Sequence, residues 1–426
     1  MLPGHAVPPR TAQGKACKFM RIVSLVLATP LIVTALAAQA QPAPQTKGPD
    51  APPPPMVFYV AKGEPGACGP GCQAWIAAEG FIDPMAEPRL WELLRKIGND
   101  RKLPVYFHSN GGSLTAGLQL GRLLRARGLV AGVARTLPAQ CDRRNPQDAS
   151  CDMLKRSGRE LMAELDTGAA ICASSCVYTI LGGAVRDVGA GARLGIHDTS
   201  IPPTVRTFDE SGRIVDRPQL LSAERTRSSL EYGQRSIAGY LQQMGISPDL
   251  LNAAHAVSAD KLHLLTREEI VAFGIDRRET VESTWSLIDK PPGASAVKLI
   301  ESKERDAFRK AMLSLTCRDA TAVRLQYVHE IDESATAPGL RLTAGGRSFA
   351  LARLGSAAQG ANGPRFEAHG AEMPLAALEA AAFVIETNAT SGQSPDSPAA
   401  SSARLAVQGA APALGALARR CGSGGR

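Results

Sequence analysis

An α/β core followed by a smaller α+β domain is the fold class that this 426-residue sequence predicts, and three observations carry it. Between Met56 and Ile275, short apolar runs of strand length alternate with apolar residues at helical spacing. A glycine pair, Gly111-Gly112, stands between one such strand and the helix after it, as a tight βα turn requires. From Ala296 onward the alternation gives way to short β-rich runs broken by Gly and Ser turns. At about 100 to 200 residues per domain, a chain of this length holds two folded domains plus tails.

The elements follow in order. Residues 1–40 have the parts of a secretory signal: basic Lys15, Lys18 and Arg21, the apolar run Ile22 to Ala37, and Ala38-Gln39-Ala40, with cleavage expected before Gln41. The apolar run, about sixteen residues with Pro30 inside it, is shorter than the roughly twenty needed to span a bilayer, which favours a cleaved signal over an anchor. Residues 41–55 (QPAPQTKGPDAPPPP) read as an extended tether. The first domain, residues 56–290, opens with a strand at Met56 to Val60, and Trp75 to Phe81 enters the fold after a loop holding Cys68 and Cys72. Leu90 to Ile97 is a helix, Leu103 to Phe107 a strand, Leu114 to Leu124 a helix and Val130 to Val133 a third strand. Residues 137–168 then interrupt with polar, cysteine-bearing sequence and read as an inserted flap. A helical run from Cys172 to Gly183, a strand from Ala192 to Ile196, a long helix over residues 222–244 and a helix-strand pair from Thr266 to Ile275 complete the domain.

In residues 296–426, strands are expected at Val323 to Ile331, Leu340 to Leu342 and Phe349 to Leu354, and a helix at Leu375 to Ala382. Residues 388–403, rich in Ser, Pro and Ala, form a loop, so that Leu405 to Cys421 must return to pack, with Leu414 and Leu417 on one helical stripe.

Charge excludes one class of partner. The formal charge of +8 falls to +4 once Arg10, Lys15, Lys18 and Arg21 leave with the signal, no block of Lys or Arg stands out, and aromatics are 4%. Nothing there tracks phosphates or stacks bases, so nucleic acid is not expected as a partner. Loss of the signal removes Cys17 and leaves Cys68, Cys72, Cys141, Cys151, Cys172, Cys176, Cys317 and Cys421, an even set that in an exported chain reads as disulfides. Cys141, Cys151, Cys172 and Cys176 admit three pairings, any of which bears on the flap and on Ser174. If the first six pair among themselves, Cys317 and Cys421 are left to each other. With no HExxH, seven scattered histidines and no second half to match Cys68-x-x-x-Cys72, neither a metal nor a cofactor is expected.

Three pieces carry chemistry: His108-Ser109-Asn110-Gly111-Gly112-Ser113 after a strand, Cys172-Ala173-Ser174-Ser175-Cys176 opening a helix, and Gly195-Ile196-His197 ending a strand. Singly they read as a tight turn, a helix cap and a boundary histidine. Jointly they meet the needs of acyl transfer. A hydroxyl on a turn into a helix N-terminus is exposed beside backbone N–H groups that hold a developing oxyanion. A glycine turn brings a second N–H to the same point, and histidine supplies the base that a serine requires.

On these residues the chain resembles the ClpP/crotonase superfamily, in particular Clp protease proteolytic subunits and signal peptide peptidase A relatives. Ser109-Asn110-Gly111-Gly112-Ser113-Leu114-Thr115-Ala116-Gly117 is similar to the NSPGGSVTAG stretch of Clp peptidases, and Cys172-Ala173-Ser174-Ser175 to their QAASM nucleophile turn. The resemblance spans about residues 56–290 and implies a stacked β-α superhelical core, Ser174 as nucleophile, His197 as base, and the N–H groups of Gly111 and Ser175 as oxyanion donors. Residues 264–276 resemble the family's closing segment; in Clp peptidases the triad carboxylate lies four residues before the Ser/Thr of that segment, a position occupied here by Leu262. Asp260, two residues earlier, is the candidate third member, and Lys261 or Lys155 would serve in a Ser-Lys dyad. The expected function is an exported serine peptidase acting on periplasmic or envelope polypeptides. The alternatives are an inactive ClpP-like fold that binds peptide or scaffolds an envelope assembly, and crotonase-type acyl-CoA chemistry, which export disfavours. A homo-oligomer through the helix at 222–244 is the expected self-association.

Overall fold

The computed structural model describes residues 53–98, 101–143, 145–146, 148–198, 204–205, 219–220, 223–290, 293–331, 339–359, 363–387, 404–409 and 411–422. The expected signal and most of the tether lie outside these residues.

In the first domain, β1 (Val57–Lys62) and β2 (Ala74–Glu79) form an antiparallel pair, and α1 (Ala86–Ile97) follows. The series then runs β3 (Val105–His108), α2 (Leu114–Arg127), β4 (Val130–Val133), β5 (Arg135–Pro138), α3 (Ala149–Lys155) and β6 (Leu161–Asp166). After β7 (Ile171–Ala173) come α4 (Ser175–Leu181), β8 (Val185–Asp187) and β9 (Arg193–Ile196). A seven-stranded sheet has the order β5-β6-β1-β2-β3-β4-β8, in which β2, β3, β4 and β8 are parallel neighbours. The chain continues through a short pair, β10 (Thr204–Val205) and β11 (Gln219–Leu220), to α5 (Ala223–Met244), α6 (Asp249–His255), β12 (His263–Leu264) and α7 (Arg267–Ala272). A smaller sheet, β12-β9-β7, is tied to the first by an isolated parallel bridge between Ser109, just past β3, and Cys172 of β7.

The core sits between helices and sheet. Leu90 and Leu94 of α1, Leu120 and Leu124 of α2, Val177 and Ile180 of α4, and Ile237, Tyr240 and Leu241 of α5 are all buried together. The helices α2 and α4 touch backbone to backbone: a Cβ on Gly182 would stand 1.9 Å from the Gly121 carbonyl oxygen. Nearer their starts, a Cβ on Gly117 of α2 would stand 2.8 Å from the carbonyl oxygen of Ser175, the first residue of α4, so the N-termini of the two helices lie side by side.

Two expectations are corrected here. Residues 137–168 do not form a separate flap, because β6 pairs in parallel with β1 and antiparallel with β5 and so extends the main sheet. Its pattern is strictly alternating, with Leu161, Ala163 and Leu165 buried and Met162 and Glu164 exposed. Nor does a strand close the domain after α7. Asp276 instead accepts the Val188 N–H at 3.0 Å and pairs with Arg267 at 3.3 Å, a buried ion pair that fixes this segment to the end of β8.

The second domain is a nearly closed antiparallel β-barrel where an α+β domain is expected. Its strands are β13 (Thr280–Glu282), β14 (Ser286–Lys290), β15 (Gly293–Glu304), β16 (Ala307–Cys317), β17 (Ala322–Ile331), β18 (Leu340–Ala344), β19 (Arg347–Ala358), β20 (Arg365–Pro374), β21 (Ala382–Thr387) and β22 (Arg404–Gln408). Their order is β13-β15-β16-β17-β20-β19-β18-β21-β22, with β14 also on β15. The expected helix at Leu375 to Ala382 is a single 3₁₀ turn, Leu375–Glu379, before β21. The closing segment does return: α8 (Pro412–Gly422) buries Leu414, Leu417 and Cys421. Thr167 and Thr284 join the domains reciprocally, each N–H donating to the other's Oγ1, at 3.2 and 2.8 Å.

The eight cysteines among the described residues all pair, as Cys68–Cys72, Cys141–Cys151, Cys172–Cys176 and Cys317–Cys421. Among the described residues no helix is long and apolar enough to cross a membrane.

Candidate active site

The three sequence pieces converge on one turn. Past the end of β3, Ser109 bridges to Cys172: its N–H donates to Ile171 O, and its carbonyl accepts from Ala173 N–H, each at 2.9 Å. The glycine turn therefore runs beside β7. On the other flank β9 pairs in parallel with β7, Ala173 facing Gly195, and the Ser174 N–H donates to Gly195 O at 2.8 Å. Ser174 thus lies between the Gly111 turn and the end of β9, which His197 follows.

Ser174 enters α4 with φ 55° and ψ −126°, and its side chain caps no N–H of the helix. A serine at that position usually does cap, so this hydroxyl is spared the ordinary task. Gly111, with φ 104°, packs against it: a Cβ there would lie 2.7 Å from both Ala173 O and Ser174 Cβ, and 3.2 Å from Ser175 N. Only a residue without a side chain brings its backbone this close. The Ser175 N–H belongs to the first residue of α4, among the N–H groups that a helix leaves without an intrahelical partner. The Gly111 N–H donates to Ser109 Oγ at 3.0 Å, and that hydroxyl donates to Gly80 O at 2.6 Å.

His197 is half-buried, its Nδ1 2.9 Å from the Asp198 carbonyl oxygen. That contact is a hydrogen bond when Nδ1 carries the proton, which leaves Nε2 as the acceptor. Asp260 is not brought to it. Asp260 is exposed, and a hydrogen bond from Ser258 holds its carboxyl below the usual range. Leu262 lies across β9, its Cδ atoms within 2.8 Å of where a Gly195 Cβ would stand. Among the described residues no carboxylate bonds His197. Lys261 is exposed, while Lys155 is buried and committed to Glu79 Oε2 at 2.6 Å and Pro146 O at 3.1 Å.

Two residues enter that sequence reasoning missed. The Asp198 carbonyl orients His197, a role that any residue could fill and that no side-chain pattern announces. His108 accepts the Ile171 N–H on its Nδ1 at 3.2 Å, and burial pushes its pKa down to about 4, so it stays neutral and anchors β7. The disulfides resolve the open pairings. Cys172–Cys176, fully buried, brackets Ser174 across β7 and α4, and Cys141–Cys151 closes the 137–168 segment on itself, so no disulfide ties that segment to the serine turn. A surface groove bounded by Cys68, Gln73, Lys102, Val130 and Val185 lies at the opposite, N-terminal ends of the parallel strands and includes none of the site residues.

No protein-family model matches the chain, and no curated protein matches it. A solved structure does. The chain is similar to the 1510-N membrane-bound stomatin-specific protease in a serine-to-alanine mutant form, at 13% identity over 47% of this chain and 75% of that one, with a TM-score of 0.29. A likeness so distant carries no argument about this chain and gives no residue a role.

Proposed function

We propose that the chain is an exported serine hydrolase that cleaves polypeptides in the periplasm or at the envelope, with Ser174 as nucleophile and His197 as base. The observation that carries this is the backbone of Ser174. Among the described non-glycine residues only Ser174 and Arg305 have positive φ, and Arg305 sits in the two-residue turn between β15 and β16, where such angles are ordinary. Ser174 has no such reason. Strain of about 1 to 3 kcal/mol at a strand-to-helix turn persists where it serves a site, and here it lifts a hydroxyl clear of its helix.

In this reading His197 Nε2 takes the Ser174 proton as the hydroxyl attacks, and the Ser175 N–H receives the oxyanion. Gly111 adds the second N–H when it turns from Ser109. The Asp198 carbonyl fixes the imidazole tautomer as a triad carboxylate does, but it brings no negative charge to the imidazolium. The hydrolase is expected to be slow, since replacing the carboxylate of a triad costs about 10⁴-fold. The four disulfides fit an oxidising compartment.

A fluorophosphonate probe tests it. The wild-type chain should label at Ser174; Ser174→Ala and His197→Ala should each lose nearly all labelling, and the double variant little more, because the pair acts as one unit. Equal labelling of wild type and Ser174→Ala sinks the assignment. The engaged Gly111 N–H favours a second reading, an inactive fold that binds peptide. It predicts no labelling of the wild type and peptide binding that survives Ser174→Ala.

A further inference from the structure

The barrel holds a polar cluster that the hydrolase reading does not use. His329 lies on β17, Glu367 and His369 on β20, and the strands pair with His329 opposite Glu367 and Tyr327 opposite His369. Alternation turns Leu325, Tyr327 and His329 to one face, and Leu325 and Tyr327 belong to the main core of the barrel. The cluster is therefore at one end of the barrel interior. Each of the three offers one ligand atom, and these lie within 4.8 Å of one another.

Both imidazoles aim Nε2 at the same atom, Glu367 Oε2, at 3.2 Å from His369 and 4.0 Å from His329. Neither approach has hydrogen-bond geometry, so Glu367 Oε2, His329 Nε2 and both ring nitrogens of His369 are without a partner. Glu367 is 0% exposed and His369 2%. Buried polar atoms are nearly always paired, and a group of them left unpaired around one centre needs a cause. The other oxygen, Glu367 Oε1, accepts from the Arg353 guanidinium.

We propose that His329, Glu367 and His369 bind one divalent transition-metal ion, zinc by the chemistry of the donor set. Two imidazoles and a carboxylate suit zinc and its first-row neighbours, whereas calcium and magnesium take oxygen. The spacing fits as well. Bonds of about 2.0 to 2.2 Å in a tetrahedron set ligand atoms roughly 3.3 to 3.6 Å apart, between the two separations found. Arg353 on the second oxygen is the kind of supporting bond that a ligating carboxylate carries. His329, with 19% of its side chain exposed, marks the open side, where water completes the shell. The ion closes the end of the barrel by joining β17 to β20 through side chains.

Cobalt serves as the probe. The full chain, disulfides intact, is stripped with chelator and titrated with Co²⁺, and bound cobalt is then displaced by Zn²⁺. One ion per chain is expected, with the visible bands of a tetrahedral site and a thermal midpoint raised by saturating Zn²⁺. Glu367→Gln and His369→Ala should weaken binding by about 100-fold or more, given that even supporting partners are worth about 10- to 100-fold. His329→Asn, at the open side, makes the same test with less disturbance of packing, and near-UV circular dichroism checks that each variant folds. His263→Gln, in the other domain, should bind as wild type does. Absence of one-to-one binding to the wild-type chain overturns the site, and so does binding that His329→Asn leaves unchanged.

Discussion

At the serine turn Gly111 takes a positive φ that only glycine adopts freely, and it packs against Ser174, whose own φ of 55° is strained. Gly111→Ala puts a methyl 2.7 Å from Ala173 O at a φ of 104°, so it should cost about 1 to 3 kcal/mol in urea unfolding and remove probe labelling. An unchanged urea midpoint would mean that the turn is looser than its contacts say. Leu262 is the converse case, a residue standing where charge is missing. Extending the β9–β12 register past His263 and Ile196 sets position 262 across from His197. Leu262→Asp should therefore supply the carboxylate and raise the labelling rate of Ser174 by tenfold or more, a fraction of the roughly 10⁴ that such a group is worth in a full triad. A rate at or below wild type would show that His197 already has its working orientation. His108 sets a pH limit. Burial depresses it to about 4, and although Glu79 favours its charged form, Arg135, Lys155 and Arg193 oppose it. The unfolded chain binds this proton first, near 6.5, so stability is complete above that pH and declines as pH falls toward 4. His108→Asn should flatten that decline in urea midpoints between pH 7 and 4.5, and an identical slope in both proteins would exclude His108 as its source.

Elements show what the sequence made legible and what it did not. The alternation from β1 to β4 could be read because each of those strands is a short apolar run and α1 and α2 repeat apolar residues at helical spacing, whereas β8, Val185–Asp187, carries Arg186 and Asp187 and no apolar run marks it. The glycine turn, the serine turn and His197 were joined in the sequence by the needs of acyl transfer and by the family resemblance, and their distances were not in it. The barrel was hidden for a physical reason. Its strands β15 and β16 bury residues on both faces, as the stretches Ala294 to Lys298 and Ala311 to Leu315 show, so neither a clean alternation nor a helical period marks them. The apolar spacing of residues 375–382 suits a helix, yet Ala380 adopts ψ 134° and sends the chain into β21. The cluster of His329, Glu367 and His369 was not legible because His329 and Glu367 are 38 positions apart and meet only through strand pairing. At the serine turn the element-scale device is Cys172–Cys176, which ties the end of β7 to the first turn of α4. Its loop is short, so the chain-entropy model gives it only about 2 kcal/mol, and its effect should fall on the site more than on the fold. The Cys172→Ala/Cys176→Ala double variant should keep most of its stability and lose labelling severalfold, which a probe time course alongside a denaturant melt would measure.

On the scale of the whole molecule, the disulfides divide their work by span. Three close loops within the first domain, whereas Cys317–Cys421, with a sequence separation of 104, joins the end of β16 to the end of α8 and encloses most of the barrel. A loop of that length limits the unfolded chain most, by about 5 kcal/mol in the entropy model, an upper figure because native strain and residual structure reduce it. The barrel has reason to depend on it. α8 is the last described element, it packs on β14, β15 and β16, and Cys421 is itself buried against that core. Replacing both cysteines by serine should therefore act on one domain. Hydrogen exchange of the full chain read by mass spectrometry should show amides in residues 293–331 losing protection by several kcal/mol while those in 105–133 keep theirs. The thread that could spread the damage is the Thr167–Thr284 pair, with the Phe308 N–H donating to Glu268 at 3.0 Å. If protection falls equally in both stretches, those contacts make the two domains one cooperative unit. If it falls in neither, α8 stays docked through Leu414 and Leu417 alone, and the staple holds nothing that packing does not.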